Sequence, residues 1–98
     1  MNEMYKFTRN TLRVDVDKGS VLIPKASIER FGVWVRPIHV KPNNEWIEIY
    51  KAEVFVVIQQ NSTTYTLWNK HCSNEVAAYN EANKKIEELQ QEYEDSCI

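Results

Sequence analysis

Few side chains in this sequence are of types that catalyse reactions, and their spacing argues against catalysis. His71 and Cys72 are the one thiol–imidazole pair that is close in sequence. Adjacent residues leave the backbone in different directions, so an imidazole seldom reaches the neighbouring thiol to activate it as a nucleophile. We therefore interpret Cys72 as a partly buried thiol that precedes a helix.

Metal-ligating side chains are also present without the spacing that a metal site needs. The two histidines and two cysteines are enough in number for zinc, but no paired C-x-x-C or H-x-x-x-H spacing occurs. Asp15 and Asp17 form a D-x-D pair of the kind that holds magnesium. We assign them instead to the solvent face of a strand and to the turn that follows it. No metal and no cofactor are expected.

Glycine content excludes the common phosphate-binding loops. The chain has two glycines, Gly19 and Gly32, and these cannot form a G-x-G-x-x-G loop or a P-loop. Dinucleotide sites and Walker-type sites are therefore excluded. Together with the missing catalytic patterns, this predicts a protein that is not an enzyme.

Segment 25–41 combines basic and aromatic side chains, which is the composition of many nucleic-acid-binding surfaces. Residues 1–41 hold eight Lys/Arg and four Asp/Glu, whereas residues 42–98 hold four and ten. A nucleic-acid-binding module that uses segment 25–41 is therefore one hypothesis. The chain lacks an RNP-type aromatic motif, and its pI of about 5.7 is low for such a protein. The opposite charges of the two halves could equally attract one another in the fold.

Aromatic side chains are numerous, with three tryptophans and five tyrosines among 98 residues. Trp and Tyr are favoured at protein interfaces because they supply large and fairly rigid contact areas. The residues expected to bind a partner are Trp34, Arg36, Arg30, Lys41, Trp46 and Tyr50. In the alternative interpretation, the aromatic residues cover the protein's own sheet and helix.

The elements that must position these residues are mostly strands. Strands are predicted at residues 12–16, 21–23, 31–40, 46–50, 53–60 and 64–68, with Lys51 and Ala52 as a connection. Phe31, Val33 and Val35 fall on one face, and Trp34, Arg36 and Ile38 on the other. Glu45, Glu48 and Glu53 are expected on the polar face of the sheet. The strand at 53–60 is apolar on both faces, which is typical of a central strand.

From Val76 the period of the apolar residues becomes helical, and Ser73 is a suitable N-cap. The predicted apolar stripe comprises Val76, Tyr79, Ala82, Ile86, Leu89 and Tyr93. Glu81 and Lys85 have the spacing of an intrahelical ion pair. Acidic residues at 92–95 lie at the negative end of the helix dipole, so we expect the last turn to fray.

One helix covers only one face of a sheet, so the central strand needs further cover. We expect one α+β domain over residues 1–98, in which a bent antiparallel sheet of five to six strands, a partial barrel, packs against the C-terminal helix. No apolar stretch approaches the ~18 residues of a membrane span. The absence of a signal peptide and the two cysteines predict a cytoplasmic protein.

These properties predict a small protein-binding module, an inhibitor or an adaptor, whose partner is an unidentified protein. Whether the module is a monomer or a homodimer stays open. Its small size, its sheet-plus-helix plan and its lack of catalytic patterns resemble those of accessory proteins from phages and mobile elements. That resemblance rests on general character and assigns no role to any residue.

Overall fold

A computed structural model of the chain describes residues 4–98. Within these residues, six strands precede one helix. The strands are β1 Tyr5–Phe7, β2 Thr11–Val16, β3 Gly19–Pro24, β4 Ile28–Val40, β5 Ile47–Ile58 and β6 Thr64–Cys72, and the helix is α1 Glu75–Ser96. A short 3-10 turn over Lys25–Ser27 joins β3 to β4. The α+β class and the C-terminal helix are confirmed.

The strands form two antiparallel sheets in the orders β1-β2-β3 and β4-β5-β6. The predicted single sheet of five to six strands is therefore wrong. β3 ends at Pro24, which has no N–H for a further ladder, and the 3-10 turn then directs the chain into a separate sheet. A backbone hydrogen bond from Met4 N to Leu67 O, 3.0 Å long, links the first sheet to β6.

Two strands differ from the sequence prediction. β1 was not predicted, because three residues are too few to show alternation. β5 is one strand of 12 residues, and it includes Lys51 and Ala52, which the prediction placed in a connection. These two residues pair with Arg36 and Val35 of β4. Ala52 is fully buried, because its small side chain lies on the face covered by the helix.

One hydrophobic core joins both sheets and the helix. Its buried residues are Leu12, Val14, Ile23, Ala52, Val54, Val56, Leu67, Trp68, Ala78, Ala82 and Leu89. Phe31, Val33 and Val35 pack against this cluster from β4, on the face predicted for them. The helix therefore covers one face of the β4-β5-β6 sheet, and the alternate residues of these strands point to the other face.

The first turns of α1 are rotated relative to the predicted stripe. The N-cap is Asn74, whose Oδ1 accepts a hydrogen bond from Ala77 N at 2.8 Å, and not Ser73. Val76 is 69% exposed and Tyr79 is also exposed, whereas Ala78 is buried. The small Ala78 side chain lets the helix approach the sheet closely and leaves the larger residues outside.

Ion pairing on α1 also differs from the prediction. Glu81 accepts a hydrogen bond from Lys70 Nζ of β6 at 2.9 Å, and does not pair with Lys85. Lys85 is buried, with its Nζ 5.3 Å from the centre of the Tyr5 ring and 3.9 Å from Glu92 Oε1. Its aliphatic stem therefore serves as packing surface.

The end of α1 is held in place, so the prediction that it frays is wrong. The helix continues to Ser96, and the Tyr93 ring makes edge contacts with Phe7 and Phe31 at centroid distances of 5.6 and 5.8 Å. Lys25 is buried beside it, with its Nζ 5.0 Å from the centre of the Tyr93 ring and bonded to Ser96 Oγ. A cation at this position compensates the negative end of the helix dipole.

Candidate functional site

The candidate site is the face of the β4-β5-β6 sheet that points away from α1, which we call the open face. The strand register places on it Arg30, Gly32, Trp34 and Arg36 of β4, Lys51, Glu53, Phe55 and Val57 of β5, and Thr64, Thr66, Asn69 and His71 of β6. Trp34 is 54% exposed there. Among the described residues, α1 is the element that packs across these three strands, and it lies on the opposite face.

A chain of contacts fixes the side chains at the centre of the open face. The Arg36 guanidinium lies 5.0 Å from the centre of the Trp34 ring, and its Nε donates to Glu53 Oε1 at 3.3 Å. Thr66 Oγ1 donates to the other carboxylate oxygen at 3.2 Å. Glu53 is only 6% exposed, and a carboxylate so buried is costly unless both oxygens have partners.

The placement of Glu53 corrects the sequence analysis, which assigned it to an exposed polar face. Its direction is the predicted one, since it points away from the helix. Its burial is different, because Trp34 and Arg36 on the adjacent strand flank the carboxylate. Glu53 therefore acts as a fixed support beneath the exposed Trp34 and Arg36 side chains.

A groove of about 320 Å³ lies beside this chain and is lined by Val33, Trp34, Glu53, Phe55, Thr64 and Thr66. It depends on Gly32, because a Cβ atom there would lie 2.5 Å from the end of the Phe55 ring. Arg30 lies above the same ring, 5.8 Å from its centre. Apolar walls with a few placed polar groups are typical of binding sites.

The six residues predicted to bind a partner do not form one surface. Arg30, Trp34 and Arg36 share the open face. Lys41 and Trp46 lie at the end of the β4–β5 hairpin, where Lys41 Nζ is 5.4 Å from the centre of the Trp46 ring. Tyr50 points to the opposite face of the sheet, where the register pairs it with Pro37 and Cys72.

Tyr50 belongs to a separate polar cluster on the hairpin. Its hydroxyl donates to Glu48 Oε1 at 3.2 Å, and His39 Nε2 lies 3.6 Å from Glu48 Oε2. The hydrogen bond to Glu48 and the charge of that carboxylate raise the pKa of Tyr50 above its ordinary value. This cluster ties together two strands of an exposed arm and is remote from the groove.

Several basic side chains of segment 25–41 lie next to a carboxylate. Arg30 is 3.9 Å from Glu29, Arg36 is 3.3 Å from Glu53, and His39 is 3.6 Å from Glu48. Exposed ion pairs contribute little to stability. They do, however, offset the positive charge where it occurs, and Lys25 is buried. The segment therefore carries much less free positive charge than its composition indicates.

Sequence reasoning missed Phe55 and Thr66 as members of the candidate site. Phe55 lies on the face of β5 that points away from the helix, for which the sequence analysis expected further cover. The signal that identifies it is the apolar character of both faces of β5. Thr66 gives no such signal, because its role depends on the neighbouring strand.

The other residues that the sequence analysis considered for catalysis or metal binding lie apart from the groove or from one another. His71 and Cys72 pair with Lys51 and Tyr50, so their side chains point to opposite faces of the sheet. Asp15 lies 3.4 Å from Arg13. Within residues 4–98, no group of three or more His, Cys, Asp or Glu side chains is placed to hold a metal ion.

The one helix in the described range is too polar to cross a membrane. Comparisons with family models, with curated proteins and with solved structures find no match for this chain. The open face is therefore the feature from which a function has to be inferred.

Proposed function

We propose that this protein is a small non-enzymatic module that binds another protein through its open face and acts as an inhibitor or an adaptor. One observation supports this proposal. The exposed Trp34 ring is in contact with Arg36, and Arg36 is in turn bonded to the buried Glu53. Trp and Arg are enriched among the few residues that carry most of the binding energy at protein interfaces.

The same arrangement lowers the cost of binding. Ordering a flexible side chain at an interface costs about 0.5–1.5 kcal/mol. Trp34 and Arg36 are already in mutual contact, and Glu53 is held by Arg36 and Thr66. Partner residues therefore meet side chains that have little conformational freedom to lose. The adjacent groove has room for one or two apolar side chains of the partner.

A second candidate function is a nucleic-acid-binding module. Trp34 and Phe55 share the open face with Arg30 and Arg36, and bases stack on aromatic side chains of exposed sheets. The pairing of these cations with Glu29 and Glu53 argues against it, since phosphate binding depends on free positive charge. Protein binding is for this reason our first proposal.

Quantitative affinity capture tests the first proposal. Wild-type protein, Trp34→Ala and the matched control Tyr79→Ala are immobilised and exposed to extracts of the native host. Tyr79 is an exposed aromatic residue on α1, on the other side of the sheet. We expect a partner that wild type and Tyr79→Ala bind equally and that Trp34→Ala binds at least about tenfold less. Capture by Trp34→Ala that equals capture by wild type would place the interface elsewhere.

A salt titration separates the two candidates. Fluorescence anisotropy measures the binding of single-stranded DNA and RNA at about 50 and 200 mM salt, where phosphate contacts produce a steep loss of affinity. We expect no tight binding. Salt-sensitive binding by wild type, abolished when Arg30, Arg36 and Lys41 are all changed to Ala, would make nucleic-acid binding the preferred function.

A further inference from the structure

The outer edge of β4 carries backbone hydrogen-bonding groups that have no strand to pair with among residues 4–98. β4 is an outer strand of its sheet, in which β5 is its one neighbour. None of its 13 residues is buried, whereas β5 contains five buried residues. The edge is therefore open to a further strand.

The hydrogen-bonding phase of β5 shows which of its residues bond to β4. Ile58 N bonds to Thr63 O on the β6 side, and Gln59 N bonds to Ser27 O on the β4 side. This direction alternates along an antiparallel strand. The odd-numbered residues of β5 therefore bond to β4.

The outward groups of β4 follow from this phase. The register pairs the odd-numbered residues of β5 with the even-numbered residues 30–36 of β4. The backbone N–H groups of the intervening Phe31, Val33 and Val35 therefore point to the outer edge. Pro37 is next in this series, where its missing N–H costs no bond within the sheet.

The charges beside this stretch indicate what kind of strand fits it. Residues 31–35 contain no charged side chain, and Arg30 and Arg36 lie at its two ends. Both arginines are on the open face. A strand with cations opposite these positions is repelled, whereas a strand with carboxylates there is attracted. Charge complementarity therefore favours a segment that is acidic at both ends.

Both guanidinium groups keep donors for such carboxylates. Arg36 donates to Glu53 through its Nε, and its terminal nitrogens make no hydrogen bond to the residues of 4–98. Arg30 lies 3.9 Å from Glu29, which is too far for a hydrogen bond. Each can still bind a carboxylate through two N–H groups. Two such positions suit two carboxylates of a peptide, whereas a nucleic acid needs more free cations.

Between the arginines, the open face offers apolar contacts to an added strand. The Phe55 ring reaches across Gly32, since a Cβ atom there would lie 2.5 Å from the end of the ring. A side chain opposite Gly32 on an added strand therefore meets the end of this ring. The next side chain on the same face meets Trp34, which is 54% exposed. Apolar side chains suit both positions.

We propose that an extended segment of the partner protein pairs with residues 30–36 of β4 as an additional antiparallel strand. The segment has acidic residues opposite Arg30 and Arg36 and apolar residues opposite Gly32 and Trp34. The two acidic residues are six positions apart, so both point to the open face. Main-chain hydrogen bonds supply affinity in this mode of binding, and the side-chain positions supply specificity. This inference rests on the proposed protein-binding function and names its binding mode and the chemistry of its partner.

Calorimetric titration with synthetic peptides tests the side-chain chemistry. The probe is the end-blocked peptide Glu-Thr-Val-Thr-Leu-Thr-Glu, whose central Thr lies opposite Val33 and whose Leu lies opposite Gly32. The matched control has Lys in place of both Glu residues. We expect the acidic peptide to bind at least about tenfold more tightly than the control. Equal binding of the two peptides, or no binding of the acidic one, overturns the strand addition. Capture of a partner that depends on Trp34 would in that case still support the protein-binding function.

Methylation of single peptide nitrogens tests the backbone pairing without changing the protein. A methyl group on the nitrogen of the central Thr removes a donor to β4, whereas one on the nitrogen of Leu lies on the side away from β4. We expect the first to weaken binding at least about tenfold more than the second. Equal effects of the two methyl groups overturn the proposal.

Amide hydrogen exchange, followed by NMR, locates the added strand. We expect the acidic peptide to slow exchange at Phe31, Val33 and Val35, whose N–H groups point to the outer edge. Unchanged exchange at these amides under saturating peptide overturns the proposal. Slow exchange at the same amides in concentrated protein alone also overturns it, because a second copy then occupies the edge.

Discussion

Arg36 and Glu53 are bonded across two strands, with an Nε–Oε1 distance of 3.3 Å, but they are buried to very different degrees. The Arg36 side chain is 43% exposed, whereas Glu53 lies almost entirely beneath it. Solvent can therefore replace the carboxylate as a partner of the guanidinium. Solvent replaces the guanidinium much less completely as a partner of the Glu53 carboxylate, because that carboxylate is buried.

This difference in burial predicts unequal effects of mutating the two residues. Arg36→Ala should lower the free energy of unfolding by about 1–3 kcal/mol, since it leaves a buried carboxylate with Thr66 as its remaining side-chain partner. Glu53→Gln should cost less than about 1 kcal/mol, because the amide oxygen still accepts from Arg36 and the amide nitrogen can donate to the Thr66 hydroxyl. Urea denaturation measures both. A larger loss for Glu53→Gln would contradict this account of the pair.

The effect of a mutation in α1 on stability should follow the burial of the residue and not its place in the sequence periodicity. Leu89 is fully buried, so Leu89→Ala should cost about 2–5 kcal/mol. Val76 belongs to the predicted stripe but is exposed, so Val76→Ala should change stability by no more than about 0.5 kcal/mol. Chemical denaturation of the two variants compares them directly. Similar losses would show that the helix is turned the other way.

The end of α1 should contribute to stability, which the sequence alone does not predict. Removing residues 93–98 deletes the Tyr93 ring and the Ser96 hydroxyl that binds Lys25. We expect a loss of at least about 2 kcal/mol, the lower end of the range for large core truncations. Deleting Ile98 alone is the control, because that residue is exposed. Equal thermal stability of the two truncated proteins would refute the prediction.

Acid should weaken the contact between α1 and β6. The hydrogen bond from Lys70 and the charge of its ammonium hold the pKa of Glu81 below its ordinary value. A lowered pKa in the folded state contributes stability at neutral pH, and this contribution disappears as the pH falls from about 4.3, the ordinary value, through the lowered pKa. In Lys70→Met, carboxyl NMR titration should show a higher pKa for Glu81. An unchanged pKa would mean that the pair does not form in solution.

Tryptophan fluorescence offers an inexpensive check of the open face. Trp34 and Trp46 are exposed, and Trp68 is 8% exposed within the core. A protein that retains only Trp68, with the other two changed to Phe, should emit at shorter wavelength and resist quenching by acrylamide. A protein that retains only Trp34 should be readily quenched at low concentration. Strong protection of Trp34 in dilute monomer would show that the open face is covered.

The strand faces were predictable because alternation depends on local sequence alone. Phe31 and Val33 point toward the helix, and Trp34 and Arg36 point away from it, as their spacing indicates. The separation into two sheets was not predictable in this way. It depends on whether β3 continues into the next ladder, and Pro24 with its following turn prevents that.

The mistaken positions share one physical cause, which is that long or charged side chains can be buried by their neighbours. Lys25 and Lys85 place their ammonium groups over aromatic rings, and Glu53 lies beneath Arg36. Each looks like a surface residue in the sequence. Conversely, Val76 has an apolar side chain but lies on the exposed side of the first turn of α1, whereas Ala78 of the same turn is buried. Whether such a side chain is buried depends on strands that are distant in the sequence. The periodicity of a helix or strand carries no information about them.

The contacts made by the end of α1 determine when the protein can finish folding during its synthesis. Lys25 bonds to a residue 71 positions later, and Tyr5 bonds to Glu92, 87 positions later. The N-terminal strands therefore leave the ribosome well before the segment that completes their packing. During this interval the rings of Phe7 and Phe31 lack the Tyr93 ring that packs against them in the finished fold. Synthesis of residues 92–96 is consequently the step after which the N-terminal strands can complete their packing.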